Sequence, residues 1–150
     1  MIINFKKNYN LKFKKNIMEI YCDNYVNYIY KEEDSLVEEY WYAESENMSE
    51  EELRDIMLIL VNFFYEKKPK LFFSDMRNFL FVIHPDLQVW IDEVVSSVAN
   101  KSMTKIARTM SSDFISQISL EQFFEEKHYS RIIKNKFFDN KKDAIDWLLE

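Results

Sequence analysis

No glycine occurs in this 150-residue chain, where average usage of about 7% would supply roughly ten. Phosphate-cradling loops such as G-x-G-x-x-G and the Walker loop need backbone at positive φ or pressed against the ligand, and the G-x-S-x-G elbow needs a similarly sharp turn. None of the three is present. The chemistries built on those loops are therefore excluded before any other residue is considered.

The remaining composition, 47% hydrophobic and 31% charged, is that of one globular domain with a single core. No stretch reaches the roughly 20 apolar residues of a membrane span. Lys6, Lys7, Lys12, Lys14 and Lys15 stand near the N-terminus without the apolar segment of a secretory leader behind them. A cytoplasmic location is the expectation. Cys22 is the sole cysteine, so an internal disulfide and a four-cysteine zinc site are excluded, and the thiol is expected to be a buried small hydrophobe.

Charge divides the chain into a basic tail, residues 1–16, and an acidic body, residues 17–150. The tail holds five lysines and no acid, which leaves -11 of the total -6 on the body. An acidic body repels phosphate backbones, so nucleic acid is not an expected partner.

Periodicity gives the order of elements. Ile17 to Cys22, Tyr25 to Lys31 and Leu36 to Ala43 read as strands, with turns at Asp23-Asn24 and at Glu32 to Ser35. Ser49 and Glu52 form a capping-box pattern, and Leu53, Ile56, Met57, Leu60, Val61 and Phe64 follow at helical spacing until Lys67-Lys68-Pro69. Leu71-Phe72-Phe73 reads as a central strand, and a second helix opens at Pro85 and closes near Asn100. Thr104 to Met110 reads as a strand, Ser119 and Gln122 cap a further helix, Ile132 to Phe138 is the last strand, and Asn140 caps a terminal helix. The predicted fold is α/β, with a mixed four- to five-stranded sheet and helices mainly on one face, since right-handed crossovers between successive parallel strands put their helices on the same side.

Several spaced residues are shared with a known group. They are Asp75-Met76-Arg77 at the end of the central strand, Pro85 with Gln88, Trp90 and Ile91 at the start of a helix, and Phe138, Ala144, Trp147 and Leu148 in a strand-turn-helix. With these, residues 18–150 resemble the STAS domain group, specifically the bacterial STAS-like proteins related to anti-sigma-factor antagonists. The resemblance implies a non-catalytic module that acts through protein contacts or small-ligand binding. In the antagonists a serine in an Asp-x-Ser arrangement is reversibly phosphorylated; here Arg77 occupies that position and Ser74 precedes the aspartate, so the resemblance does not extend to that switch. STAS-like relatives are also grouped with lipid-carrying domains, which implies a lipid or other small apolar ligand as an alternative.

Asp75 and Arg77 fall beyond the carboxyl end of a parallel strand, where open α/β sheets bind ligands, and Ser111, Ser112 and Asp113 follow the next strand. Asp75, Arg77, Ser112 and Asp113 are therefore the candidate ligand or partner site; the competing reading is that Asp75 and Arg77 brace their loop. Tyr28 and Tyr30 alternate along one strand and Tyr40 and Tyr42 along the next. If the four share a half-exposed face they form a homodimer or partner interface, unless Phe5, Tyr9 and Phe13 fold back over it. His84 and His128 are isolated, no His-Glu-x-x-His occurs, and Cys22 has no adjacent base. No metal, cofactor or catalytic group is expected.

Overall fold

The computed structural model of the protein describes residues 16–110 and 133–150. Six strands form one mixed sheet in the order of the sequence: β1 (Ile17–Cys22), β2 (Val26–Lys31), β3 (Leu36–Trp41), β4 (Leu71–Asp75), β5 (Lys105–Thr109) and β6 (Lys134–Phe138). The first three strands pair antiparallel, and β3 through β6 run parallel. The α/β class is as the periodicity predicts. The sheet exceeds the expected four to five strands because β1 pairs along β2 as well.

Local chemistry explains the connections. Asp23 Oδ1 accepts from the backbone N–H groups of Tyr25 and Val26 at 2.7 and 2.9 Å, an Asx turn that delays β2 to Val26. Strand β3 ends at Trp41, two residues earlier than its pattern suggests, because Ala43–Asn47 winds into a short 3-10 helix. Ser45 is buried there, and its hydroxyl donates to Asn78 O and accepts from Leu80 N–H, tying this turn to the segment after β4.

Helix α1 (Glu50–Lys67) begins with the predicted capping box: Ser49 Oγ accepts from Glu52 N–H at 3.1 Å and Glu52 Oε2 accepts from Ser49 N–H at 2.7 Å. It ends at Lys68, whose φ of 50° places a β-carbon in the left-handed region where most chains use glycine. Ser35 and Asn16 are the other described residues at positive φ. Asn16 tolerates the left-handed region, whereas Ser35 and Lys68 adopt it against the preference of their β-carbons. Helix α2 (Pro85–Ser102) opens at Pro85 as predicted and runs past Asn100. Helix α3 (Lys141–Leu149) is capped by Asn140, whose Oδ1 accepts from Asp143 N–H at 2.9 Å.

The strands distribute these helices over two cores. Val26, Tyr28, Tyr30, Val37, Trp41, Phe72 and Ile106 face α1 and α2 in the larger core. Leu36, Phe73 and Ala107 face the opposite way and are covered by Ala144 and Leu148 of α3. Both cores being occupied, β4 opens on the continuous apolar run Leu71-Phe72-Phe73 rather than on an alternation, as strands covered on two faces do. Cys22 is exposed on the edge strand β1 rather than buried, because β1 has a neighbour on one side only. The basic tail through residue 15 and the predicted helix near Ser119 lie outside the described residues.

Candidate functional site

At the carboxyl edge of the parallel strands, Asp75 Oδ1 accepts from Arg77 Nε at 2.9 Å and Oδ2 from Arg77 Nη2 at 2.6 Å. Oδ1 also accepts from the Thr109 hydroxyl at 2.8 Å, while Thr109 Oγ1 itself accepts from Met76 N–H at 3.1 Å. Burial pushes the Asp75 carboxyl up, but the hydrogen bonds from Arg77 and Thr109 outweigh it and hold the group below the usual aspartate range. This geometry is that of a loop brace: carboxylate and guanidinium are engaged with each other, and β4 is stitched to β5. Ser112 and Asp113 lie outside the described residues.

The four tyrosines do not share a face. Antiparallel register sets Tyr28 opposite Glu39 and Tyr40 opposite Asn27, so Tyr28 and Tyr40 differ by one residue in parity and point to opposite sides of the sheet. Tyr28 and Tyr30 are buried in the α1/α2 core, with the Tyr30 ring edge-on to Phe63 at 5.1 Å. Tyr40 packs edge-on to Phe73 on the α3 side, where its hydroxyl donates to Glu38 and is met by Lys141 Nζ. Tyr42, beyond the end of β3, borders a shallow polar groove with Asp23, Asn24, Tyr25, Glu44 and Asn47. The half-exposed tyrosine surface expected from alternation is therefore absent for Tyr28 and Tyr30, whose strand side is covered by α1.

The arrangement that periodicity alone does not show is inside the larger core. A cavity of about 100 Å³ lies between the sheet and helices α1 and α2, walled by Leu53, Leu60, Phe64, Phe72, Ile91 and Val98 among others. Met57, Val61, Ile83 and Val95, all half-buried, also line it and mark where it approaches the surface. Three polar side chains enter this apolar wall: Glu39, Ser74 and Arg108. They form a single rung across the sheet, since Glu39 pairs with Ser74 and Ser74 with Arg108 in the parallel registers. Their exposures are 5%, 1% and 4%, so water does not solvate them. Burying such groups costs several kcal/mol, on the order of 2–7 for a neutral group, unless hydrogen bonds compensate.

Hydrogen bonds compensate in part. Ser74 Oγ lies 2.5 Å from Glu39 Oε1 and 3.0 Å from Met76 Sδ, and both are acceptors for its one proton. Ser74 Oγ donates to Glu39 Oε1, and Met76 Sδ is the competing acceptor on the other side of the same hydroxyl. Burial raises the Glu39 carboxyl, and the hydrogen bond from Ser74, the polar groups of Trp41 and Tyr28 nearby and the charge of Arg108 offset this only partly. The buried Tyr28 hydroxyl lies near Glu39, but outside good hydrogen-bond geometry. Arg108 Nη1 donates to Asn135 Oδ1 at 2.8 Å, and Asn135 is fixed in turn through its Nδ2 to Ile133 O at 3.1 Å.

A signal for this rung exists in the sequence. Glu38-Glu39 lies inside Leu36–Trp41, a strand otherwise apolar or aromatic, and two successive glutamates in a doubly covered strand must bury one carboxylate on each face. Among the described residues, no three His, Cys, Asp or Glu side chains gather to hold a metal ion, and no helix is long and apolar enough to cross a membrane. No family model, curated protein or solved structure matches this chain.

Proposed function

We propose that this protein is a non-catalytic binding module that encloses a small, largely apolar ligand between its sheet and helices α1 and α2. The observation that carries the reading is the cavity of about 100 Å³ with an apolar wall interrupted by one polar rung, Glu39-Ser74-Arg108. Ligand pockets are built this way, with apolar walls for affinity and a few convergent polar groups for orientation. The volume is about two thirds of the roughly 150 Å³ engineered cavity that stays dry and admits benzene, which sets the scale of what fits without rearrangement. The STAS-like resemblance implies the same class of role, and a cytoplasmic location is part of the reading.

Native mass spectrometry of the purified protein, followed by organic extraction and thermal-shift screening of small apolar compounds, tests it. A copurified ligand or saturable stabilisation by such compounds supports the cavity as a site. An empty protein that no compound stabilises rules the reading out.

A second reading is a protein-interaction module, including a homodimer. It is favoured by Val82 and Val89, which are 67% and 59% exposed in the stretch that leads from Arg77 into α2. Light scattering decides it: a dimer that Val82→Asp or Val89→Asp converts to monomer supports this surface, and a monomer at all concentrations, with no partner recovered, counts against it.

A further inference from the structure

We infer that the polar groove beside the end of the β2/β3 ladder binds a guanidinium group, carried by a small guanidino compound or by an arginine side chain. The site is independent of the apolar-ligand reading, because its lining shares no residue with the cavity.

The groove measures about 540 Å³ and is bordered by Asp23, Asn24, Tyr25, Tyr42, Glu44 and Asn47. Register brings its two rings together. Tyr42 N–H donates to Tyr25 O at 2.8 Å, one step beyond the Val26–Trp41 pair, so the tyrosines stand opposite each other where the ladder ends. Directly opposed residues carry their side chains on one face. The Tyr25 hydroxyl donates to Glu52 Oε1 at 3.1 Å, outside the groove lining, so this residue brings ring surface to the groove.

The charge of the groove is negative. Asp23 is fixed by the Tyr21 hydroxyl on Oδ2 at 2.8 Å and by two backbone N–H groups on Oδ1, and it supplies a stationary carboxylate. Glu44, exposed in the first turn of the 3-10 helix, makes no hydrogen bond or ion pair among the described residues and is the carboxylate open to a ligand. Asn24 and Asn47 are exposed as well and add amide oxygens. No described lysine or arginine borders the groove.

Ring surface, acceptors and uncompensated negative charge together favour a cation that is weakly hydrated and rich in donors. Guanidinium has both properties: it is planar, stacks on aromatic rings and presents its N–H groups as a fork to carboxylate. The chain uses the same pairing elsewhere. The Arg54 guanidinium lies 4.6 Å from the centre of the Trp90 ring, while its Nε and Nη2 donate to Glu50 Oε1 at 3.1 and 2.6 Å. A primary ammonium is compact and strongly hydrated, and gives up more water to reach a ring. An anion is repelled by Asp23 and Glu44.

The experiment titrates butylguanidinium, its neutral isostere butylurea and butylammonium into the isotope-labelled full-length protein and follows backbone amide shifts. Cation–π and ion-pair contacts at an exposed site predict that butylguanidinium binds about threefold to thirtyfold tighter than butylurea. The shifts should centre on residues 23–25 and 42–47. Glu44→Gln, a change at an exposed side chain, should weaken binding about twofold to fivefold. Tyr42→Leu should narrow the gap between butylguanidinium and butylammonium, since stacking separates the two. A blocked Ala-Arg-Ala peptide that binds as tightly as butylguanidinium makes an arginine side chain the source of the group; a peptide that fails where butylguanidinium succeeds assigns the site to a free guanidino compound. Butylurea or butylammonium binding as tightly as butylguanidinium overturns the assignment. So does unchanged affinity in a folded Glu44→Gln, or the lack of any saturable shift at these residues.

Discussion

Glu38 and Glu39 are adjacent in β3 and buried on opposite faces of the sheet, one compensated by lysines and the other by a serine. Lys31 Nζ reaches Glu38 Oε1 at 2.6 Å and Lys141 Nζ reaches Oε2 at 3.5 Å, with Tyr40 donating as well. Burial raises the Glu38 carboxyl, but these partners outweigh it and the group is held below the usual glutamate range. Glu39 goes the other way, because burial there exceeds what Ser74 and its other neighbours return.

The two glutamates should therefore respond oppositely to pH. Glu38, with a lowered folded value, contributes stability above the ordinary glutamate pKa of about 4.3 that is lost as pH falls through the folded value. Glu38→Gln should cost about 1–3 kcal/mol at neutral pH and progressively less in acid. Glu39, with a raised folded value, is most favourable below the ordinary value and loses that contribution as pH rises. Relative to wild type, Glu39→Gln should then gain stability with increasing pH. Urea denaturation of the three proteins across the acid-to-neutral range measures both slopes, and a pH-independent Glu39→Gln difference would show that its carboxyl is not raised.

Tyr28→Phe removes a buried hydroxyl that lacks a good hydrogen bond. Replacement by an isosteric apolar ring should leave stability unchanged or raise it by up to about 1 kcal/mol. A loss above that size in chemical denaturation would mean that the hydroxyl does bond to Glu39.

Val95→Phe introduces a ring at the half-buried lining of the cavity. Filling the void should hold or increase the thermal midpoint while abolishing ligand uptake. A lower midpoint with uptake retained would indicate that the side chain overpacks α1 and α2 instead of occupying the cavity.

Lys68→Gly relieves the left-handed C-cap of α1, where φ is 50° and the Lys68 N–H still closes on Phe64 O at 2.9 Å. The substitution should stabilise the fold by about 1 kcal/mol, the cost of a β-carbon in that region. The matched change at Lys67, inside the helix, should destabilise it by a similar amount. Equal effects at both positions in thermal denaturation would remove the cap explanation.

Elements whose causes are local were legible in the residues alone. The capping box at Ser49, Pro85 at the first turn of α2 and the Asn140 cap each act within four residues, so α1, α2 and α3 begin where their patterns say. The Asx turn at Asp23 is local in the same way, and it shifted a strand boundary by a single residue. Which residues meet depends on how distant segments pair and pack. Tyr28 and Tyr40 both alternate along strands, but the β2/β3 register sends them to opposite faces, and helix α1 buries one where α3 covers the other. Asp75 and Arg77, legible as a pair, turn toward each other because Thr109 of the neighbouring strand fixes the carboxylate. The rung of Glu39, Ser74 and Arg108 spans 69 positions of sequence and exists only through two parallel registers. Periodicity shows that a residue alternates; pairing and packing determine what it faces, because both depend on contacts between distant segments.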